Sequence, residues 1–124
     1  KLKDPAQADF TIFSQSDIVS LHVPFMKETD GLVGEKAFSL MKSGSFLINT
    51  SRAEVVDEHA LLSSLHRFRG VGLDVYSEEF ATSVKSGSAV LAHIILTPHV
   101  AAQGEDSFRT QCVRPVEEFL KRIV

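Results

Sequence analysis

Three residues of types that often take part in catalysis each follow an apolar run of this sequence: Arg52, Glu79 and His99. An arginine can hold a carboxylate through two parallel hydrogen bonds, and a histidine can give or accept a proton near neutral pH. A carboxylate bonded to the second ring nitrogen of that histidine would fix its orientation and favour its protonated form. In one pocket, these three residue types could bind an anion and move a proton to or from it.

Each of the three residues also has a plainer interpretation. Arg52 could be a surface ion-pair donor, Glu79 a solvated loop charge, and His99 a cap at the end of a strand, because most charged side chains lie at protein surfaces. The choice between the two interpretations depends on whether the fold brings the three positions together.

The elements that would position these residues are four short apolar segments typical of β-strands. They span residues 17–23, 45–50, 70–76 and 93–98. The apolar runs SFLI and IIL are nearly continuous, which is typical of parallel strands covered on both faces. We therefore predict an α/β fold built on a parallel sheet of about four strands.

Helical patterns lie between the predicted strands. Residues 35–42 precede the second strand, and residues 57–68 precede the third with three leucines on one apolar face. Asp57 stands where a helix N-cap belongs. This alternation of strands and helices is typical of βαβ units.

Two further segments complete the predicted organisation. Residues 80–90, FATSVKSGSAV, are rich in Ser, Gly and Thr and are predicted to form a surface loop. Residues 104–123 carry apolar side chains spaced mostly three and four apart, which predicts a long amphipathic helix interrupted or kinked at Pro115.

The predicted sheet would bring the three candidate residues to one edge. In open parallel α/β sheets, ligands bind in the crevice beyond the carboxyl ends of the strands. Arg52, Glu79 and His99 each come after a predicted strand, so we expect them to converge there. This shared position favours a common site over three unrelated surface residues.

Composition and charge exclude several other classes of function. The 124 residues suit about one domain, and a net charge of -3 without a Lys/Arg block argues against nucleic acid as a partner. No apolar run approaches the roughly 20 residues of a membrane span. The single cysteine, Cys112, cannot form an intrachain disulfide, which fits a cytoplasmic location. His59 and His66 lie too far apart along a helix to share a metal ion, so no metal site is expected.

Three stretches of the sequence resemble one enzyme family over nearly the whole chain. They are SDIVSLHVPFMKETDGLVGEKAFSLMKSGSFLINTSRAEVVDEHAL, GVGLDVYSEE and LTPHVAA. In this order they resemble the later half of the cofactor domain of D-isomer-specific 2-hydroxyacid dehydrogenases. The resemblance implies a partial Rossmann-like, doubly wound parallel sheet with flanking helices. It also implies an oxidoreductase that transfers a hydride between NAD (or NADP) and a small 2-hydroxy or 2-oxo acid.

The resemblance also implies roles for individual residues. Arg52 matches the family's substrate-binding arginine, and His99 matches its acid/base histidine. Glu79 matches the family's acid, five residues after the strand aspartate Asp74. The family usually has glycine and proline where this sequence has Ala53 and Phe80, and either departure could alter the loops and the choice of substrate.

The cofactor positions are carried over in the same way. Asp74 would contact the nicotinamide end, although it could equally be the polar end of an apolar strand. Small residues after His99 would let its ring lie close to the cofactor, although they could equally serve helix packing. The full predicted cofactor-binding set is Val23, Pro24, Thr50, Ser51, Asp74, Ala101 and Ala102.

The phosphate-binding part of such a domain is not found in this sequence. No G-x-G-x-x-G follows a strand and opens a helix, and the pair Gly70 and Gly72 begins a strand instead. The resemblance therefore implies that residues 1–124 are the C-terminal part of a dinucleotide-binding domain, without its glycine-rich half and without a substrate domain. We expect the isolated chain to be inactive and to bind NAD(H) weakly or not at all.

The strand at 17–23 would then have a bare edge in the isolated chain. Such an edge pairs readily with another chain, so we expect a homo-oligomer or another cover. A second class of function also stays open, namely a non-catalytic module that senses NAD(H) or supports dimerisation. The arginine, acid and histidine favour the enzyme, because a scaffold has no chemical need for them.

Overall fold

Four strands form one parallel sheet in the computed structural model, which describes residues 10–86 and 93–104. The strands are β1 (Ile18–Leu21), β2 (Phe46–Asn49), β3 (Gly70–Leu73) and β4 (Ile94–Leu96). They lie side by side in chain order, and each neighbouring pair is parallel. The predicted parallel sheet is confirmed, with strands somewhat shorter at their ends than predicted. All four carboxyl ends therefore face one edge of the sheet.

Within the described residues, four α-helices accompany these strands. They are α1 (Thr11–Gln15), α2 (Glu35–Leu40), α3 (Glu58–Ser64) and α4 (Glu78–Ser86), and short 3-10 helices span Ala53–Val55 and Leu65–Arg67. α2 and α3 match the predicted helices. The Asp57 carboxylate accepts a hydrogen bond from the Ala60 N–H (3.0 Å) and caps α3, as the sequence predicted. Within the described ranges, no helix has the length and apolar character of a membrane span.

The core lies on one face of the sheet. Alternate strand residues point into it, because successive side chains of a strand face opposite sides. They pack against α2, α3 and α4 in one buried cluster that includes Val19, Leu21, Leu47, Val71, Leu73, Ala37, Phe38, Leu61, Phe80 and Val84. On the opposite face, Ile18, Phe46 and Ile95 are exposed. Among the described residues, helices thus cover one face, and the predicted cover on the second face stays a prediction.

The prediction of a surface loop at 80–90 is wrong for residues 80–86, which belong to α4. Phe80 and Val84 lie four residues apart, so they fall on one face of a helix, and both are buried. The abundance of serine and threonine hid this single apolar pair. Residues 87–90 lie outside the described part of the chain, and so does nearly all of the predicted helix at 104–123.

A serine before α4 fixes where that helix begins. The Ser77 hydroxyl accepts a hydrogen bond from the Phe80 N–H (3.1 Å), as an N-cap does. The Glu58 carboxylate accepts bonds from the Ser77 N–H (2.8 Å) and from the Ser77 hydroxyl. These contacts tie the start of α4 to the first turn of α3.

Hydrogen bonds also tie the loop after β1 to the loop after β2. The Val33 N–H donates to the Val55 carbonyl (3.0 Å), and the Gly31 N–H donates to the Glu54 carbonyl (2.8 Å). The buried Thr29 hydroxyl donates to the Pro24 carbonyl (2.8 Å) and so folds the first of these loops. The loops that hold Pro24 and Glu54 are therefore fixed to each other beside the strand ends.

Candidate active site

Two adjoining clefts open beyond the carboxyl ends of the strands. The central cleft, of about 410 Å³, lies beyond β2, β3 and β4 and is lined by Arg52, Ala53, Glu54, Asp74, Val75, Tyr76, Thr97, Pro98 and His99. The outer cleft, of about 590 Å³, lies beyond β1 and β2 and is lined by His22, Val23, Pro24, Phe25, Thr50, Ser51, Arg52 and Glu54. The two clefts meet at Arg52 and Glu54, which line both.

Arg52 projects from the turn that follows β2. Its backbone is extended, and the 3-10 helix begins at the next residue. The exposed guanidinium donates from Nη1 to the Ser51 carbonyl (2.6 Å). A guanidinium has five N–H donors, so this bond leaves donors for an anion in the cleft.

His99 lies in a tight turn after β4 with left-handed backbone geometry. Its φ is +57°, and it is the one non-glycine residue with positive φ among the residues that the structure describes. Its N–H bonds the carbonyls of Asp74 and Thr97, both at 3.0 Å, and its own carbonyl accepts from Gln103 Nε2 (3.2 Å). This conformation costs on the order of 1–3 kcal/mol and persists only where the surroundings hold it.

Asp74 supplies that support from the end of β3. Its buried carboxylate accepts hydrogen bonds from Thr97 Oγ1 (2.5 Å), the Val100 N–H (2.9 Å) and the Ala101 N–H (2.8 Å). Burial acts to raise the pKa of Asp74, but these three hydrogen bonds and the charge of His99 outweigh it and hold the pKa below its ordinary value. The carboxylate is therefore charged and holds the turn on both sides of His99.

Asn49 plays a comparable part at the end of β2. Its Oδ1 accepts from the Ser51 N–H (3.0 Å) and the Ser51 hydroxyl (2.8 Å), and its Nδ2 donates to the Arg52 carbonyl (2.9 Å). Asn49 was not among the predicted site residues. A signal was present, because an asparagine often bonds the backbone two residues on in a turn, and Ser51 stands at that distance.

Glu79 lies apart from the central cleft. It is exposed in the first turn of α4 and lines a small separate depression together with Glu58 and His59. The structure thus brings Arg52 and His99 to one cleft and places Glu79 outside it. The physical reason is that α4 begins at Glu78, so Glu79 lies in the first turn of this helix.

The residues predicted to bind cofactor fall into three places. Val23, Pro24, Thr50 and Ser51 line the outer cleft, whereas Asp74 lines the central one. Ala101 and Ala102 form the exposed turn after His99, where the Ala101 N–H bonds Asp74. Most of the predicted set therefore surrounds the junction of the two clefts.

Several lining residues were not anticipated as part of the site, among them Phe25, Tyr76 and Glu54. Phe25 adds an exposed aromatic ring to the outer cleft, Tyr76 lines the central cleft, and Glu54 lines both. Across residues 10–86 and 93–104, no three His, Cys, Asp or Glu side chains are grouped as a metal site would require.

Comparison with known families gives one match that covers most of the chain. Residues 6–101 match the model of the D-isomer specific 2-hydroxyacid dehydrogenase, NAD binding domain. Among curated proteins, the glyoxylate reductase of Thermococcus litoralis is 43% identical over 94 residues, which is 74% of this chain and 28% of that protein.

Solved structures agree with this match. The D-lactate dehydrogenase of Lactobacillus jensenii with NAD+ aligns with a TM-score of 0.72 and 30% identity, covering 85% of this chain and 36% of that one. The D-lactate dehydrogenase of Aquifex aeolicus complexed with NAD and lactic acid aligns with a TM-score of 0.66 and 34% identity, covering 90% and 39%. The predicted Rossmann-like fold is confirmed. The chain spans about a third of the length of these proteins.

Proposed function

The chain belongs to the D-isomer specific 2-hydroxyacid dehydrogenase family, and on this premise we propose that it forms part of an enzyme that reduces a small 2-oxo acid with NADH. The reverse reaction oxidises the matching 2-hydroxy acid with NAD. In this proposal, residues 1–124 are the later part of the NAD binding domain. The glycine-rich half of that domain and a substrate domain come from the rest of a longer polypeptide, which agrees with the third of the relatives' length that the chain spans.

One observation carries the proposal. Arg52 and His99 follow different strands, 47 positions apart by their numbers (99 - 52), and nevertheless line the same central cleft. A carboxylate-binding group and a proton-transferring group are the two side chains that the reduction of a 2-oxo acid requires beside a hydride donor.

The outer cleft suits NAD. Its wall offers apolar surface from Val23, Pro24 and Phe25, and it offers the hydroxyls of Thr50 and Ser51. A wall that combines apolar surface with well-placed polar groups is typical of cofactor sites. NADH, when bound, supplies the hydride. Because the outer cleft meets the central cleft at Arg52, a cofactor held there would lie beside the substrate.

Arg52 binds the substrate carboxylate in this proposal. Its planar guanidinium can bond two carboxylate oxygens, or one of them and the keto oxygen, and this fixes which face of the C2 carbon is presented. A lysine has one compact charged group and could not impose that orientation. Arg52 therefore determines substrate geometry as well as affinity.

His99 supplies the proton. Negative charge develops on the keto oxygen as C2 is reduced, and a protonated imidazole within hydrogen-bond reach neutralises it by giving up its proton. In the oxidative direction, the same imidazole starts neutral and accepts the proton of the hydroxyl group. The predicted role of Glu79 is to orient this ring, and it would require Glu79 to approach His99 from the first turn of α4.

The test uses the complete polypeptide that contains this chain. NADH absorbance at saturating cofactor is followed with glyoxylate, pyruvate and longer 2-oxo acids. We expect His99→Ala to lower kcat by about 100-fold or more, since positioned acid catalysis contributes 10² to 10⁴, with NADH affinity nearly unchanged. The exposed His66→Ala variant serves as the matched control. Normal turnover in His99→Ala would show that His99 is not the proton donor.

Glu79→Gln belongs in the same series. A clear fall in kcat would support its predicted role, and an unchanged kcat would remove it from the site. If the wild-type enzyme binds NADH but reduces none of the acids, the alternative of an NAD(H)-sensing module takes the place of the enzyme.

A further inference from the structure

We propose that Asn49 is a positioning residue that holds Arg52 at the cleft. This inference rests on the proposed function, because Arg52 acts there as the carboxylate-binding group. It adds a residue that neither the sequence analysis nor the family resemblance assigned to the site. Asn49 does not line either cleft, so it would act on the substrate only through Arg52.

The surroundings of Asn49 are those of a core residue. It is only 1% exposed, and its partners in the neighbouring strands are Leu21 of β1 and Leu73 of β3. Two residues earlier on the same strand, the equivalent position is Leu47. An apolar side chain would suit this row of leucines, whereas a buried amide is unfavourable unless its polar atoms are bonded.

Both polar atoms of the Asn49 side chain, Oδ1 and Nδ2, form hydrogen bonds to the turn that carries Arg52. Oδ1 takes both the N–H and the hydroxyl of Ser51, and Nδ2 bonds the Arg52 carbonyl. Only an amide of this length offers two acceptor sites and a donor here. Aspartate would lose the donor, alanine would lose both groups, and glutamine would be one methylene too long.

The same bonds set the position of the guanidinium. Arg52 Nη1 bonds the carbonyl of Ser51, and Asn49 holds that residue by its N–H and its hydroxyl. Asn49 thus fixes the backbone from which the side chain of Arg52 departs and also the residue against which it rests. Its own carbonyl accepts from the Asp74 N–H (2.9 Å), which joins this turn to the residue that holds the His99 turn.

A double-mutant cycle in the complete polypeptide tests the inference. The variants are Asn49→Ala, Arg52→Lys and the two combined, and kcat and KM are measured for glyoxylate at saturating NADH. We expect Asn49→Ala to lower kcat/KM about 10- to 100-fold, because small misplacement of a binding group has effects of that size. With lysine at position 52, the same substitution should lower kcat/KM by less than about threefold. If Asn49→Ala lowered kcat/KM by the same factor with arginine and with lysine at position 52, the inference would be overturned.

Controls separate positioning from a general loss of structure. Ser45→Ala removes another buried polar side chain, at the residue directly before β2 begins and so at the end of the strand far from Arg52. It should leave kcat/KM unchanged. Asn49→Asp keeps the shape and the acceptor but removes the donor to Arg52. It replaces Asn49→Ala in the double-mutant cycle if Asn49→Ala does not fold. An Asn49→Asp variant with wild-type kcat/KM would also overturn the inference.

A measurement independent of activity keeps this inference separable from the proposed function. Amide hydrogen exchange in a peptide covering residues 48–55 should be faster in Asn49→Ala than in the wild type and in Ser45→Ala. If the wild-type enzyme reduces no 2-oxo acid, the proposed function fails, and exchange alone decides whether Asn49 holds the turn. Unchanged exchange would contradict the inference in either case.

Discussion

Asp74 and Asn49 are buried polar residues whose partners lie in the turns that carry His99 and Arg52. The two groups proposed to meet the substrate are exposed, whereas the two that hold them are buried at the ends of β2 and β3. This division has a physical reason. A group that must reach a ligand needs solvent access, and a group that must hold a backbone needs a fixed, water-free position.

The backbone of His99 supports its proposed role. Non-glycine residues with left-handed geometry are uncommon and are found mainly where the surroundings determine the conformation. Here Asp74 bonds the residues on either side of His99. Asp74 therefore stabilises the strained turn that carries the imidazole.

The lowered pKa of Asp74 predicts how stability depends on pH. A carboxylate with a folded pKa below its ordinary value of 3.8 stabilises the fold above about pH 5, and this contribution is lost as pH falls through the folded pKa. Asp74→Asn should therefore unfold more easily than the wild type at pH 7. The difference in free energy of unfolding between the wild type and Asp74→Asn should become smaller below pH 4, as measured by urea denaturation.

A matched variant makes this prediction specific. Asp30 is exposed, and Asp30→Asn checks whether the loss of any one acidic group produces the same pattern. A gap between the wild type and Asp74→Asn that stayed constant from pH 7 to pH 3 would show that the charge of Asp74 does not stabilise the turn.

At the scale of elements, the start of α4 determines that Glu79 lies outside the central cleft. The helix starts at Glu78 and takes Glu79 out of the central cleft, and it is anchored by the buried Phe80. The family resemblance gives proline at position 80, which has no aromatic ring to bury. Phe80 therefore stabilises a helix at the point where the Ser-, Gly- and Thr-rich composition predicted a loop.

Removal of this anchor should destabilise the chain. Phe80 is 1% exposed in the core, so Phe80→Ala should lower the free energy of unfolding by about 3–5 kcal/mol. The exposed Lys85→Ala on the same helix should change it by less than about 0.5 kcal/mol. Urea denaturation of both variants measures the difference. A loss below about 1 kcal/mol in Phe80→Ala would show that α4 does not depend on this contact.

At the scale of the whole molecule, the described sheet is covered on one face and open along β1. Ile18 is 61% exposed on the uncovered face, and β1 pairs only with β2 among the described strands. A bare strand edge next to exposed apolar surface favours pairing with another chain. We therefore expect the isolated 124-residue chain to self-associate through β1.

Two matched isoleucines test this expectation. Ile18→Lys places a charge on the edge strand, whereas Ile12→Lys places it on α1, where the side chain is equally exposed at 60%. Light scattering should show a smaller average mass for Ile18→Lys than for the wild type and for Ile12→Lys. A monomeric wild-type chain would contradict the expectation, and equal effects of the two lysines would exclude β1 as the contact.

The sequence by itself determined the sheet and the strand ends at which chemistry could occur. Nearly continuous apolar runs indicate parallel strands, and parallel strands end at a common edge, so Arg52 and His99 could be placed together from local patterns. The capping of α3 by Asp57 follows from a local hydrogen bond in the same way. These features depend on neighbours in the chain, which a sequence displays directly.

Only the tertiary structure decided which residues hold the site and which lie apart from it. Asn49 was predicted only as a residue of the second strand, because its contribution comes from side-chain hydrogen bonds to the turn that follows β2. Asp74 holds the His99 turn from 26 and 27 residues away in the chain. Glu79 lies outside the central cleft because Phe80 and Val84 are buried in the core, and this packing places Glu79 in the first turn of α4. For Asp74 and Glu79, contacts between residues distant in sequence decide the outcome, and local composition does not record them. Asn49 bonds residues only two and three positions away, but its burial among leucines of neighbouring strands is set by the tertiary structure.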